Sequence, residues 1–417
     1  MKTYDIGFDR ACRLALEKSV PIGKQTLKIQ QAVGHVLAEP LAARVNSPSI
    51  DASLKDGYAV ISADLSGASP EKPVKLEVIG SVAAGGHSDT SLARGQAIRI
   101  LSGAPLPEGA EAVLAEEFTE PADVGIIARA TAEPGRNVQP KGEDVYFGEK
   151  LAATGDVVSP QLVGRLVAGG ISELSVYKRP RVGLLATGSE ILLSGKPPVA
   201  GKLYASNVAL QQAWLSGEGI ETKILVSKDT FEGIADGIQR LHDDCDVVIT
   251  SGGAWKGDRD LVVKVLESLG WEMYFHRARL GPGKAVGAGR LAGKPVFCLP
   301  GGPASNETAF IMIVFPAVLK IAGFRNCPYL YLNGRLETDV QGQSDWTQFI
   351  QCEVLQTSPE ILLRPTKLKS RLAAMTRTPA VVKIPEGTEK IAAGTLVSFI
   401  CLDRQLFAWP IKDTPSP

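Results

Sequence analysis

The chain has 417 residues, enough for two to four domains with several cores. Its 45 basic and 45 acidic residues cancel to a net charge of zero, which excludes the broad basic footprint of a general nucleic-acid binder. Cys12, Cys245, Cys298, Cys327, Cys352 and Cys401 are scattered, with no CxxC pair and no neighbouring histidine that would complete a zinc site, so reduced, mostly buried thiols of a cytoplasmic protein are expected.

Phe8, Ala11, Cys12, Ala15 and Leu16 fall at helical spacing, predicting an amphipathic helix that ends before Pro21. The amino terminus has no unbroken apolar stretch of signal-peptide type, and no later segment is expected to reach the length needed to cross a bilayer. A second helix is expected over 29–37. Beyond Pro40 short β-like runs are broken by Gly and Pro: Val74, Leu76 and Val78 alternate with Lys75 and Glu77, and 96–100 and 112–114 read as further strands. These runs suggest a small β-rich domain over 45–144. A helix over 160–168 then leads through Gly169 and Gly170 to a strand near Leu174 and a hinge at Arg179-Pro180.

From Arg181 strands alternate with helices. Strand 182–185 ends in ATGSE, and helix 208–215, strand 223–226 and helix 231–241 follow. Strand 247–250 runs into Ser251, Gly252 and Gly253, then a loop with Asp258 and Asp260, where a carboxylate could hold a cation or cap the next helix. That helix carries Leu261, Val262, Val265, Leu266 and Leu269 as a stripe up to Gly270. Strands 271–275 and 296–299 come next, the second leading into PGGPAS and a long apolar helix over 306–322. The fold class is therefore multidomain α/β plus β, with a mostly parallel, doubly wound central sheet. In such a sheet the strand ends share one edge, so the three glycine-bearing loops should converge on one site, although each alone could serve turn geometry only. Beyond Cys327 the runs 349–355, 360–363, 380–384 and 396–400 predict a small carboxy-terminal β-barrel or sandwich.

Seven stretches then carry a specific resemblance. SLKDGYAV (53–60), RILSGAPLPEGAEAVL (99–114), KGEDVYFGEKL (141–151), ATGSEI (186–191), TSGGAWKGDRD (250–260), LGPGKAVGAG (280–289) and LPGGPAS (299–305) occur in the order and spacing of the MoeA family. This family, the molybdopterin molybdenumtransferases, includes the carboxy-terminal domain of gephyrin, and the resemblance runs through nearly the whole chain. It implies a discontinuous helical linker domain (1–44 and 145–176), a β-rich inserted domain (45–144), a MogA-like α/β molybdopterin-binding domain (177–326) and a carboxy-terminal β-barrel (327–417), in a subunit that forms a homodimer. The implied reaction inserts molybdate into adenylylated molybdopterin and releases AMP, with a divalent cation such as Mg2+. A molybdopterin adenylyltransferase and apo-molybdoenzymes are the implied protein partners, and neither nucleic acid nor membrane is expected. The readings kept beside it are a MogA-like adenylyltransferase, a tungstate-specific version of the same reaction, and a non-catalytic molybdopterin-binding scaffold.

Carried over motif by motif, the resemblance implies catalytic roles for Asp56, Ser102, Asp260 and Lys284. It places Thr187, Gly188, Ser251, Gly252, Gly253, Gly301, Gly302 and Ser305 on the ligand, and Asp144, Glu190, Asp229 and Asp260 at a metal. The chemistry suits those residue types: a pyrophosphate and an oxyanion want backbone amides and a lysine, and hard cations want oxygen ligands. Each residue also has a plainer use, with Asp56 in an Asp-Gly turn, Asp260 as a helix N-cap, Asp229 as a cap before Phe231, Ser102 as a turn hydroxyl and Lys284 as a solvated loop charge. The chain departs from the family at Ala52, Lys55, Gln139, Pro140, Gly281, where many members carry a second lysine, and Gly302, which replaces the usual Asn of PGNP.

Overall fold

The computed structural model describes residues 4–86, 90–252, 261–356, 360–366 and 371–403. Gly253, Asp258 and Asp260 lie outside the described residues. The chain divides into two compact units, one formed by residues 26–176 and the other by 1–25 with 177–417.

In the 26–176 unit, a mixed six-stranded sheet runs in the order Ala112–Ala115, Gly57–Val60, Gln96–Ile100, Val74–Val82, Ile126–Ala128, Thr119–Pro121. Period-two alternation splits its apolar residues between two cores, with Tyr58, Val60, Leu76 and Leu114 in one and Ala59, Ile98, Ile100 and Val113 in the other. The helix expected over 29–37 does not form: only Ile29–Gln31 makes a 3-10 turn, after a strand at Lys24–Lys28. Gly34, at φ 77°, interrupts helical backbone there, while Ile29, Ala32 and Leu37 still enter a third core with Leu166, Leu174 and Val176. The Pro160–Ala168 helix forms as expected. Ser159 accepts from the Leu162 amide at 3.1 Å, Pro160 takes the first helical position, and Gly170, at φ 78°, follows its end.

The larger unit contains the α/β sheet. Thr222–Ser227, Val182–Thr187, Val247–Ser251 and Lys294–Leu299 lie side by side and parallel, in that order. The sheet then turns antiparallel through Gly287–Leu291 and Glu272–Gly281, so it is less uniformly parallel than expected. Gly287–Leu291 was not legible as a strand because GAGRL offers little β propensity. Tyr4–Gly7 pairs in parallel with Glu272–Gly281, and the Phe8–Glu17 helix packs near it, so the amino terminus builds onto this unit although a linker domain was expected over 1–44. Ile234, Ile238 and Leu241 of the Phe231–Asp244 helix cover one face of the sheet together with Val262, Val265 and Leu266 of the Leu261–Ser268 helix. The fit is close: a Cβ added at Gly237 would lie 2.8 Å from Leu185.

The stretch after PGGPAS forms Pro303–Ala309, a π-helical Phe310–Val314 and Phe315–Ile321. Contrary to expectation, this helix is long and apolar enough to cross a bilayer. It is an interior helix instead, with Phe310, Ile313, Val314 and Phe315 at 1 % exposure or less. The carboxy-terminal strands Thr347–Gln356, Leu362–Pro365, Leu330–Leu336, Leu396–Cys401 and Ala380–Ile384 close on themselves as a barrel around Val382, Leu363 and Phe399. Leu280 pairs with Thr347 and Gly281 with Gln348, so the barrel is hydrogen-bonded onto the α/β sheet. The six cysteines are free, as expected, and burial pushes Cys12, Cys327 and Cys352 up to about 12, keeping those thiols protonated.

Candidate functional site

Parallel register brings the sheet's carboxyl tips into line: Thr187 lies opposite Ser227, Ala186 opposite Ser251, and Ser251 opposite Leu299. The loops leaving these tips enclose a cavity of about 540 Å³ lined by Thr187, Gly188, Glu190, Asp229, Ser251, Gly252 and Gly301, among others. Seven residues singled out in the sequence therefore share one space. Backbone shape at Gly252 admits no side chain, since its φ is 109° and an added Cβ would come within 2.7 Å of Thr187 Oγ1 and 2.8 Å of the Thr187 carbonyl. The Gly252 amide donates to the Leu299 carbonyl at 3.0 Å, tying this loop to the neighbouring strand tip.

Glu190 and Asp229 are exposed carboxylates on this cavity. The plainer use of Asp229 as a helix cap is overturned, because the Thr230 hydroxyl accepts the Gly233 amide at 3.1 Å and leaves Asp229 without that task. Among the described residues no three His, Cys, Asp or Glu side chains group as a metal site; Asp260 falls outside them.

Lys284 and Ser305 line a separate cleft of about 420 Å³, with Gly281, Gln343, Trp346 and Gln348. The Lys284 ammonium sits 4.5 Å from the centre of the Trp346 ring, so it is held by a barrel side chain rather than free in solvent. Pro300 and Ser305 face this cleft while Gly301 and Pro303 face the first cavity, so the PGGPAS loop serves both. Gly302 is the N-cap residue of the Pro303–Ala309 helix and its carbonyl accepts the Asn306 amide at 2.8 Å.

In the 26–176 unit, Asp56 and Ser102 meet directly: the Asp56 carboxylate accepts the Ser102 amide at 2.7 Å. Val138 pairs with Ser53, Gln139 Nε2 donates to Asp144 at 3.0 Å, and the Lys141 amide donates to Asp51 at 2.8 Å. Three motifs distant in sequence thus form one exposed polar cluster. Within the α/β unit, sequence reasoning missed Asn207, Gln211 and Asn306, which buttress the tips. Asn207 donates to the Gly301 carbonyl at 2.9 Å, and Asn306 to the Pro300 carbonyl at 2.8 Å. The available signal was Asn306-Glu307-Thr308, three polar residues interrupting an apolar helix.

A parallel sheet whose aligned tips surround glycines, two hydroxyls and two carboxylates beside a lysine-bearing cleft places this chain in the class of α/β proteins built to take a ligand at the carboxyl ends of their strands. The MoeA amino-terminal region (domains I and II) matches residues 6–170, and the probable molybdopterin-binding domain matches 183–320. Curated molybdopterin molybdenumtransferases are similar along their length: that of Staphylococcus epidermidis is 27 % identical over 97 % of this chain and 98 % of its own, and that of Staphylococcus aureus is 29 % identical over 90 % of each. The crystal structure of the molybdopterin biosynthesis MoeA protein of Pyrococcus horikosii superposes with a TM-score of 0.83 at 30 % identity, covering 96 % of this chain and 99 % of that one. The chain belongs to the MoeA family.

Proposed function

We propose that this protein is a molybdopterin molybdenumtransferase of molybdenum cofactor biosynthesis, inserting molybdate into adenylylated molybdopterin with release of AMP. The observation that supports this most is the meeting of Thr187, Gly188, Glu190, Asp229, Ser251, Gly252 and Gly301 in one cavity at aligned strand tips, in a chain of this family. The glycine-bearing loops let backbone approach a pterin phosphate, and Thr187 and Ser251 add hydroxyls. Lys284, oriented by Trp346, supplies a point charge for an oxyanion in the adjoining cleft. Glu190 and Asp229 fit a hard cation such as Mg2+, which takes one or two carboxylates along with water and phosphate oxygens. When bound, that ion would offset charge on the phosphoanhydride. Asp56, Ser102 and Asp144 form the second functional cluster of this reading. We take the active form to be a cytoplasmic homodimer, which light scattering of the purified protein would check.

The test is direct. Purified protein given adenylylated molybdopterin, molybdate and Mg2+ should release AMP and yield a cofactor that activates an apo-molybdoenzyme. No AMP above background at saturating molybdate would reject catalysis. Tight pterin binding without turnover, unchanged by Asp56→Ala or Lys284→Ala, would instead favour a scaffold, the reading that the departures at Gly281 and Gly302 motivate.

A further inference from the structure

We propose that Asn306 is a positioning residue that forces the Ser251 hydroxyl to act as a hydrogen-bond donor into the strand-tip cavity, toward a phosphate oxygen of the ligand. This rests on the function proposed above. The polarity follows from atoms whose roles are not in doubt. The Pro300 and Gly301 carbonyls can only accept, so the Asn306 and Asn207 side-chain atoms facing them at 2.8 and 2.9 Å must be the amide nitrogens. Those same nitrogens lie 3.0 Å (Asn306) and 3.3 Å (Asn207) from Ser251 Oγ. Two N–H groups therefore point at one hydroxyl oxygen and occupy its lone pairs, so its own proton must go elsewhere. Ser251 lines the cavity at 6 % exposure, and no acceptor for its proton is found among the described residues.

Gln211 locks the arrangement. Its Nε2 donates to Asn306 Oδ1 at 2.7 Å, both residues being buried at 1 % exposure or less. Turning the Gln211 amide over would set carbonyl oxygen against carbonyl oxygen, so the whole relay has one polarity. A water-bound serine can donate or accept as it pleases; this one is prepared for an anion before the ligand arrives.

The experiment is a double-mutant cycle on Asn306→Leu and Ser251→Ala, read by AMP binding and by kcat and KM for AMP release. Each single change should weaken AMP binding about tenfold to a hundredfold, the scale of a hydrogen bond to a charged group. Asn306→Leu should have no further effect once the Ser251 hydroxyl is gone, while Ser251→Thr restores binding. Losses that simply multiply in the double variant would overturn the proposal, because a merely structural Asn306 would act with or without the hydroxyl. Asn207→Ala, at a partly exposed position, gives a milder version of the same cycle should Asn306→Leu fold poorly. Side-chain amide exchange of 15N-labelled Asn306 supplies a readout independent of ligand. Its protons should be protected, and one should lose protection in Ser251→Ala; protection that does not change would overturn the proposal. If the parent protein neither binds AMP nor turns over, the enzymatic reading fails, while the amide exchange still decides the polarity of Ser251.

Discussion

Gly252→Ala is the sharpest single test of the strand-tip geometry. The new methyl group would begin 2.7 Å from the Thr187 side-chain Oγ1 and 2.8 Å from the Thr187 carbonyl, and that carbonyl is strand backbone that cannot swing away. The φ of 109° adds strain of ~1–3 kcal/mol for any residue with a side chain. If the loop holds its place, the folded state loses roughly that much, readable as a lower urea midpoint with an unchanged slope. If the loop relaxes instead, the Gly252 amide leaves the Leu299 carbonyl and Ser251 shifts, and the same energy appears as a ~5- to 150-fold loss of AMP affinity by calorimetry. Gly301→Ala is the control for stability, since a Cβ there meets only Gly252 Cα at 3.6 Å and should leave the urea midpoint little changed. A Gly252→Ala protein with the parent's stability and the parent's AMP affinity would refute the close packing on which the cavity depends.

Other consequences can be measured in parallel. Burial pushes the Glu307 carboxyl up to about 7, against the Gln351 amide that donates to it at 3.1 Å. Because the folded pKa lies above the unfolded one, the favourable contribution is complete below about pH 4.5 and is lost as pH rises to 7, a change on the order of 3 kcal/mol. Glu307→Gln should therefore flatten the stability profile between those pH values, and a profile of unchanged slope would contradict it. Gly281→Lys should be accommodated, because an added Cβ finds only Gln348 Cγ at 3.8 Å. It should raise molybdate affinity at low salt, with the gain shrinking as ionic strength rises. Asp56→Ala should abolish AMP release and cost about 1 kcal/mol by losing the Ser102 amide contact, whereas Asp56→Asn should be equally inactive but keep its stability. Thr230→Ala should lower stability by ~1 kcal/mol through the lost cap, with little effect on the metal dependence assigned to Asp229.

What the sequence disclosed follows from how local each signal is. Strand 247–250 with Gly252 at its tip, the Pro160–Ala168 helix with its Ser159 cap, and the alternating barrel runs all encode their structure within a few residues, and the structure contains them. The 29–37 stretch misled because Ile29, Ala32 and Leu37 are buried without being helical; periodicity reports burial, and a non-helical segment can supply the same spacing. Tyr4–Gly7 is a strand because the distant Glu272–Gly281 offers it a partner, and Gly287–Leu291 because Glu272–Gly281 and Lys294–Leu299 pair with it on either side, information that neither short run holds by itself. At the site, glycines and carboxylates were legible as residue types. Asn207, Gln211 and Asn306 were not, since their work is to hold other groups through contacts spanning up to 95 positions.

The join at Leu280–Gly281 and Thr347–Gln348 has a practical corollary for anyone wishing to dissect this chain. A fragment stopping at residue 326 would expose raw strand edge there, an invitation to sticky self-association. It would also strip Gln343, Trp346 and Gln348 from the wall beside Lys284, leaving that ammonium to wander. The barrel thus holds the lysine in place, and excising it would free that side chain much as losing the Trp346 ring would.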